Sequence, residues 1–313
     1  MKTLEATVVK HTGSHYLLAE LPQWELFPAV LRGKVRLKKS TSTNPVAVGD
    51  RVVCELPDDV GDGNPAQIVE ILPRRNYVIR KSTNLSREAH IIAANVDRAF
   101  IIVTLAFPEV KLPFLDRLLV TCGVYGIPVT IVLNKVDLLR EAGFPPDDFI
   151  RIYEGAGYDV MQVSARTGEG VDELRAAMPP DGVSLLSGVS GVGKSSLIKA
   201  LDPSLNPRTA QISLAHLQGR HTTTFYEMYP LGGVGYIIDT PGIRSFGLLD
   251  LEKEEISKYF PEMLAVSEGC RFTPCTHTHE PHCAVKDAVE RGEISPERYN
   301  SYLGMLQESE KYR

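Results

Sequence analysis

The stretch LLSGVSGVGKSSL, residues 185–197, decides the fold. Gly188-Val189-Ser190-Gly191-Val192-Gly193-Lys194-Ser195 spells G-x-x-x-x-G-K-S, with the apolar run VSLL before it and a helix-compatible stretch after it. That is the strand–loop–helix context a phosphate-binding loop requires. Glycines let backbone N–H groups wrap phosphate oxygens at a helix N-terminus, and Lys194 neutralises β- and γ-phosphate charge. Ser195, with Ser196 beside it, offers a hydroxyl to Mg²⁺. The loop alone does not say which base is read.

Working outward, residues 96–245 alternate apolar runs (AFIIVTL, VTIVLN, DVMQVS, VSLLSG, GYIIDT) with amphipathic stretches near 112–125, 146–157, 170–178 and 194–201. This pattern predicts a mostly parallel sheet covered by helices on both faces, a multidomain α/β chain. Upstream, EATVVK, HYLLAEL, AVLRGKVRLKK, VAVGDRVVCEL and AQIVEIL are short and punctuated by Gly, Pro, Asn and Asp, which predicts a small OB-like β-barrel. LPRRNYVIRKSTNLSRE, 72–88, is basic and reads as an irregular linker. Beyond 250 the strands stop, and a final helix is expected with Ser295 as its N-cap and Pro296 in its first turn. The expected divisions are a barrel over 1–72, a linker over 73–95, a nucleotide-binding domain over 96–247 and an α-helical C-terminal region over 248–313.

The 313 residues carry a net charge of −5, but residues 1–90 hold 13 Lys and Arg against 10 Asp and Glu, so they sum to +3 and the remainder to −8. The basic excess is densest in LRGKVRLKK, where Arg32, Lys34, Arg36, Lys38 and Lys39 would share a strand face, either solvated or in contact with nucleic acid. The longest apolar run, AFIIVTLAF, is too short to cross a bilayer, and MKTLEATVVK has no apolar signal core; a cytoplasmic chain is expected.

VLNKVDL, ending a predicted strand, supplies Asn134, Lys135 and Asp137. A carboxylate at Asp137 accepts from the two adjacent N–H donors of guanine, which adenine does not present, and adenine would leave it buried and unpaired. The Lys135 stem would pack on the base plane while Asn134 ties this loop to the phosphate loop. VSARTGEG follows the next strand, so the Ser164 and Ala165 N–H groups are candidates for guanine O6. IIDTPG places Asp239 to hold Mg²⁺ through water and the Gly242 N–H to reach the γ-phosphate. In GRHTTTF, Thr223, with Thr222 next, is the Mg²⁺ ligand expected with a γ-phosphate present. The order is base loop, Ser-Ala loop, phosphate loop, Thr loop, Asp-x-x-Gly: a circular permutation, tolerated because chain ends often lie close together. The segment after Asp239 then leads straight into the C-terminal region, which hydrolysis is expected to reposition.

With these residues together the chain closely resembles the circularly permuted GTPases dependent on the small ribosomal subunit, over nearly its whole length, through NKVD, GVSGVGKSS, GRHTTT and DTPG. The resemblance implies GTP hydrolysis stimulated by the small subunit, a role in that subunit's late maturation, an OB-fold contacting ribosomal RNA, and a zinc region at the C-terminus. The chain is expected to act as a monomer. The alternative is an RNA-binding scaffold whose docking is gated by guanine nucleotide, with incidental turnover.

Cys270-x₄-Cys275-x-His277-x₅-Cys283 supplies three thiolates and an imidazole, a closed structural Zn²⁺ shell, one per chain. His279 and His282 are rival ligands; the resemblance favours His277. After Asp-x-x-Gly, where many small GTPases place a Gln that orients water, stands Ile243, so slow intrinsic hydrolysis is expected. The resemblance assigns the water to His221 instead; Lys194, through the phosphate charge, and Thr223, through Mg²⁺, are the other residues expected to act in catalysis.

Overall fold

The computed structural model describes residues 2–33, 45–58, 63–81, 89–205, 226–239 and 251–311. Strands β1 (Lys2–Thr12), β2 (His15–Glu20), β3 (Glu25–Leu31), β4 (Arg51–Leu56) and β5 (Ala66–Ile71) pair in the order β1-β2-β3-β5-β4, and β4 returns to β1. Period-2 alternation drives the closure: Tyr16 and Leu18, Val52 and Cys54, Ala66 and Ile68 all point into one barrel core. The barrel expected from the sequence is present. β3 ends at Leu31, and Arg32 beyond it pairs with Glu55 at 2.9 Å. Of the proposed basic face, Lys34, Arg36, Lys38 and Lys39 lie outside the described residues.

The reading of 72–88 as irregular is corrected by a hairpin of β6 (Tyr77–Lys81) and β7 (Ala89–Ala94). Val78 and Ile79 are both buried because the register shifts between them, and Val78 packs in the main core with Ile92 and Ala93. An apolar run this short, framed by Arg74, Arg75, Arg80 and Lys81, gives no strand signal. Arg74 also ties the segment down, with Nε and Nη2 each 2.6 Å from a different oxygen of the buried Asp50.

β8 (Arg98–Val103), β9 (Val129–Leu133), β10 (Asp159–Gln162), β11 (Val183–Ser187) and β13 (Gly235–Asp239) run parallel in the order β10-β9-β8-β11-β13. α1 (Leu112–Val124), α2 (Val136–Ala142), α3 (Asp147–Gly155), α4 (Val171–Ala177) and α5 (Lys194–Leu201) cover both faces. In β8, Ala99, Ile101 and Val103 pack against α1, α2 and α3, whereas Phe100 and Ile102 pack against α4 and α5. Burying each of the larger side chains, Phe100, Ile101, Ile102 and Val103, contributes about 1.5–3 kcal/mol, which is why β8 is apolar at every position after Arg98.

The sequence reading missed β12 (Glu227–Leu231), antiparallel to β13 and beyond the last parallel strand. Pro230 interrupts its signal and is tolerated because, among the described residues, β1 pairs with β12 only at Glu227 and leaves position 230 without a partner on that side. β12 also meets barrel strand β1 at Lys10↔Glu227, with Lys10 Nζ 3.0 Å from Glu227 Oε1. The barrel and the parallel sheet thereby form one eleven-stranded sheet.

The C-terminal region contains α6 (Lys253–Ile256), a 3₁₀ turn (Ser257–Tyr259), α7 (Pro261–Ser267), α8 (Ala284–Glu290) and α9 (Pro296–Lys311). Ser295 Oγ accepts from the N–H groups of Glu297 (3.2 Å) and Arg298 (3.4 Å), the N-cap expected. This region is fastened to α1 by a buried charge cluster that no periodicity announced. Arg298, 1% exposed, donates to Asp116 on α1 (2.6 Å, 0% exposed) and to Glu262 on α7 (2.7 Å). Tyr153 on α3 donates to the same Asp116 at 2.8 Å. Among the described residues no helix is long and apolar enough to cross a membrane.

Candidate functional site

The loops at the C-terminal ends of β9, β10 and β11 meet, and Asp239 ends β13 two strands from β8 in the same sheet. β11 ends at Ser187, and the phosphate loop turns through Gly188 (φ 155°), Gly191 (φ 88°) and Gly193 (φ 96°) into α5. A Cβ at 188 would lie 2.3 Å from the Ile102 carbonyl oxygen, and one at 193 would lie 2.4 Å from Asn134 Nδ2. Those two positions therefore require glycine on both conformational and steric grounds. Lys194 is buried in the first turn of α5, its Nζ donating to the carbonyls of Gly188 (2.6 Å) and Val189 (3.1 Å). Burial lowers its pKa, while the negative charge of Asp239 opposes that shift. Asp239 closes β13 opposite Leu186 of β11, one strand from the loop, and Ser195 follows Lys194.

The Asn-Lys-x-Asp loop is bound to the phosphate loop directly. Asn134 donates through Nδ2 to the Val192 carbonyl at 2.8 Å, and its Oδ1 accepts from the Ala165 N–H at 3.2 Å, so one buried amide joins three loops. Lys135 has φ 65°, a conformation that costs a non-glycine residue about 1–3 kcal/mol. Its Nζ spans from the Phe107 carbonyl (2.5 Å) to the Gly191 carbonyl (2.7 Å), which holds that strained backbone in place.

Asp137 stands in the first turn of α2 and is buried, and among the described residues no donor reaches either of its oxygens with full hydrogen-bond alignment. Arg166 Nε makes an ion pair 2.7 Å from Oδ2. Burial opposes ionisation here, but the Ser164 hydroxyl, the Arg166 charge and the Asp137 and Leu138 N–H groups outweigh it and hold the carboxyl below its ordinary pKa. A buried anion with spare acceptor capacity suits a ligand with paired donors.

The Ser-Ala loop departs from expectation. The Ser164 N–H donates to the Glu169 carbonyl (2.9 Å) and the Ala165 N–H to Asn134, so both donors proposed for guanine O6 are engaged within the chain. His221, Thr222, Thr223 and Gly242 lie outside the described residues. The sequence reading also missed Arg166, because a loop arginine reads as a solvated charge, and the Phe107 carbonyl, because a backbone acceptor leaves no residue-type signal. An open cleft of ≈ 610 Å³ lined by Arg98, Thr130, Tyr158 and Asp159 lies at the opposite ends of the same strands, away from these loops.

In the C-terminal region, Cys270, Cys275, His277 and Cys283 each present a ligand atom, all within 4.8 Å of one another. Sulfur–sulfur separations are 3.9 Å for Cys270–Cys283 and for Cys275–Cys283, and His277 Nδ1 lies 3.6 Å and 3.4 Å from the Cys270 and Cys283 sulfurs. A tetrahedral shell with metal–sulfur bonds of about 2.3 Å and metal–nitrogen bonds of about 2.0 Å has sulfur–sulfur edges of about 3.8 Å and nitrogen–sulfur edges of about 3.5 Å. The four residues can hold a metal ion. The rivals His279 and His282 are exposed and stand outside the group.

The Cys/His loop is fixed from behind by α9, where Tyr299 donates to the His277 carbonyl (2.6 Å) and Tyr302 to that of Thr276 (2.7 Å). Glu280 accepts from the N–H groups of Thr276 (2.8 Å) and Thr278 (3.0 Å); burial opposes its charge, but these bonds and the Thr276 hydroxyl hold its pKa at about 2. Burial pushes the Cys275 thiol up to about 12 and favours neutral His277, so a bound cation is what would bring out the thiolates.

A phosphate loop after β11, an Asn-Lys-x-Asp loop after β9 and an Asp at the end of β13, written base loop first, define a circularly permuted P-loop GTPase. The family model described as RsgA GTPase matches residues 71–249, and the chain belongs to that family of GTP hydrolases. It is 48% identical over 313 residues to the small ribosomal subunit biogenesis GTPase RsgA of Bacteroides fragilis, covering 99% of each chain. It is 48% identical over 317 residues to the protein of the same name from Porphyromonas gingivalis, again covering 99% of each. The crystal structure of YjeQ from Thermotoga maritima superposes with a TM-score of 0.76 at 32% identity, covering 98% of each chain. The circularly permuted GTPase YloQ gives 0.75 at 27%, covering 100% of this chain and 96% of that one.

Proposed function

We propose that this protein hydrolyses GTP during late maturation of the small ribosomal subunit, in the cytoplasm, with the barrel contacting ribosomal RNA and the subunit accelerating turnover. The observation that carries the reading is the Asn134 amide joining the base-reading loop, the Ser-Ala loop and the phosphate loop into one nucleotide cradle. The relatives' names supply the ribosomal context.

In this reading Asp137 recognises guanine, the Lys135 stem lies along the base, and Ser164 and Ala165 shape the far wall. Gly188 to Ser196 surround the phosphates, and Lys194, released from the Gly188 and Val189 carbonyls, neutralises the β- and γ-phosphates. Ser195, Asp239 and Thr223 would hold Mg²⁺, which when bound withdraws charge from the phosphates. Thr222 and the Gly242 N–H complete the γ-phosphate side, and His221 positions the attacking water. Cys270, Cys275, His277 and Cys283 hold one structural Zn²⁺, since a closed set of soft thiolates and imidazole leaves no position for a reactive water.

The test is the rate of GTP turnover with and without purified small subunits, for the natural chain and for His221→Ala. Subunits should accelerate the natural chain and leave the variant slow although it binds GTP normally. An unstimulated natural chain would instead mean a docking scaffold, and a fully stimulated variant would remove His221 from the chemistry.

A further inference from the structure

We propose that Arg166 is a built-in competitor for the base-reading carboxylate: its guanidinium sits on Asp137, and a guanine base must displace it to bind. The inference rests on the guanine reading of Asp137 and deepens it.

Chemistry makes the competition specific. The edge of guanine that a carboxylate reads is an N–C–N unit with parallel N–H donors, and a guanidinium presents the same unit. Arg166 Nε approaches Asp137 Oδ2 to 2.7 Å, so the arginine occupies the acceptor that the base would use. The pair is imperfect, because neither Asp137 oxygen receives an aligned hydrogen bond among the described residues. A paired donor edge delivered squarely would satisfy that carboxylate better than Arg166 does. The contact is therefore displaceable.

A second position for the displaced side chain exists. Arg166 Nη2 also contacts Glu141, which lies on α2 one turn beyond Asp137 and on the same face. Withdrawal from Asp137 leaves the guanidinium on an exposed carboxylate instead of free in water. Nor does the loop need Arg166 to keep its shape. Glu169, at the other end of the same loop, is gripped by both Nη groups of Arg140, and the Ser164 N–H and carbonyl are bonded to the Glu169 carbonyl (2.9 Å) and the Gly168 N–H (2.9 Å). The Arg166 side chain is 57% exposed, so the competition it exerts is modest.

The test measures dissociation constants for GDP and ADP on the intact chain, on Arg166→Met, which keeps an apolar stem but loses the guanidinium, and on Arg166→Gln. Both variants should bind GDP about two- to fivefold more tightly than the natural chain, the range spanned by ion pairs of this exposure. ADP binding should stay unchanged, because adenine makes no claim on Asp137. Unchanged or weaker GDP binding in both variants, with the natural chain still preferring GDP over ADP, overturns the competitor while leaving the guanine reading intact. A natural chain that binds GDP and ADP alike defeats the guanine reading, and the competitor with it.

Discussion

Asn134 Nδ2 lies 2.8 Å from the Val192 carbonyl oxygen, a buried hydrogen bond between residues 58 positions apart that joins the Asn-Lys-x-Asp loop to the glycine-rich loop before α5. Its other amide atom takes the Ala165 N–H at 3.2 Å. Asn134→Ala removes a donor and an acceptor at once and leaves the buried Val192 carbonyl and the part-buried Ala165 N–H unpaired. Stability should fall by about 1–3 kcal/mol in urea titration, and GDP affinity by about tenfold or more. Unaltered GDP affinity would show that the loops hold their spacing without this amide.

Gly193 sets the distance of that approach. An added methyl would stand 2.4 Å from Asn134 Nδ2 at φ 96°, so Gly193→Ala must push the two loops apart. Nucleotide binding by calorimetry should be lost while the far-ultraviolet dichroism of the sheet stays native. Retained binding would mean the loops yield there at no cost.

The ionisation of Asp137 fixes a pH dependence. Its folded pKa lies below the ordinary 3.8, so the carboxylate is charged throughout neutral and mildly acidic solution, and its contribution, fully present above 3.8, is lost only as pH falls through the lowered folded value. The ratio of GDP to ADP affinity should therefore be flat from about pH 8 to about pH 5. A ratio that collapses inside that window would assign base reading to another group.

Arg298 is buried between two carboxylates, Asp116 and Glu262, in contact with the faces of Tyr153, Tyr158 and Phe260. Arg298→Ala leaves both anions buried without their partner and should cost about 3–5 kcal/mol in chemical denaturation. A loss below about 1 kcal/mol would mean that water reaches the cluster as readily as a surface pair.

Chelation tests the Cys/His group. Stripping the metal should release one Zn²⁺ per chain and change the near-ultraviolet signal of Tyr299 and Tyr302, whose hydroxyls hold the ligand loop. GDP affinity should be unaffected, since ligands and phosphate loop lie in separate cores. Metal-free protein with an unchanged aromatic signal would contradict a structural site.

What the sequence disclosed follows from which interactions leave a repeating or residue-specific trace. Five barrel strands, the parallel strands and the phosphate loop are legible because pleat alternation, apolar runs and glycine spacing are local. The Cys/His group able to hold a metal was legible because few other uses explain three clustered cysteines in this context. β12 was not, since Pro230 and Glu227 mask a strand that owes its existence to neighbours on both sides, β13 and β1. The hairpin of β6 and β7 was hidden by its basic flanks. Arg166, Arg298 and the Phe107 carbonyl matter through partners 29, 182 and 28 residues away, distances at which a single sequence carries no pairing signal.

Calorimetry on Asp137→Asn bears most directly on whether these permuted loops read one guanine nucleotide. An amide at 137 mismatches the two donors of guanine but pairs with the N–H and carbonyl edge of xanthine. The expected result is that the variant binds xanthosine diphosphate more tightly than GDP, while the natural chain does the reverse. A variant that keeps its preference for GDP would contradict the role of Asp137 and, with it, the joint reading of base and phosphate.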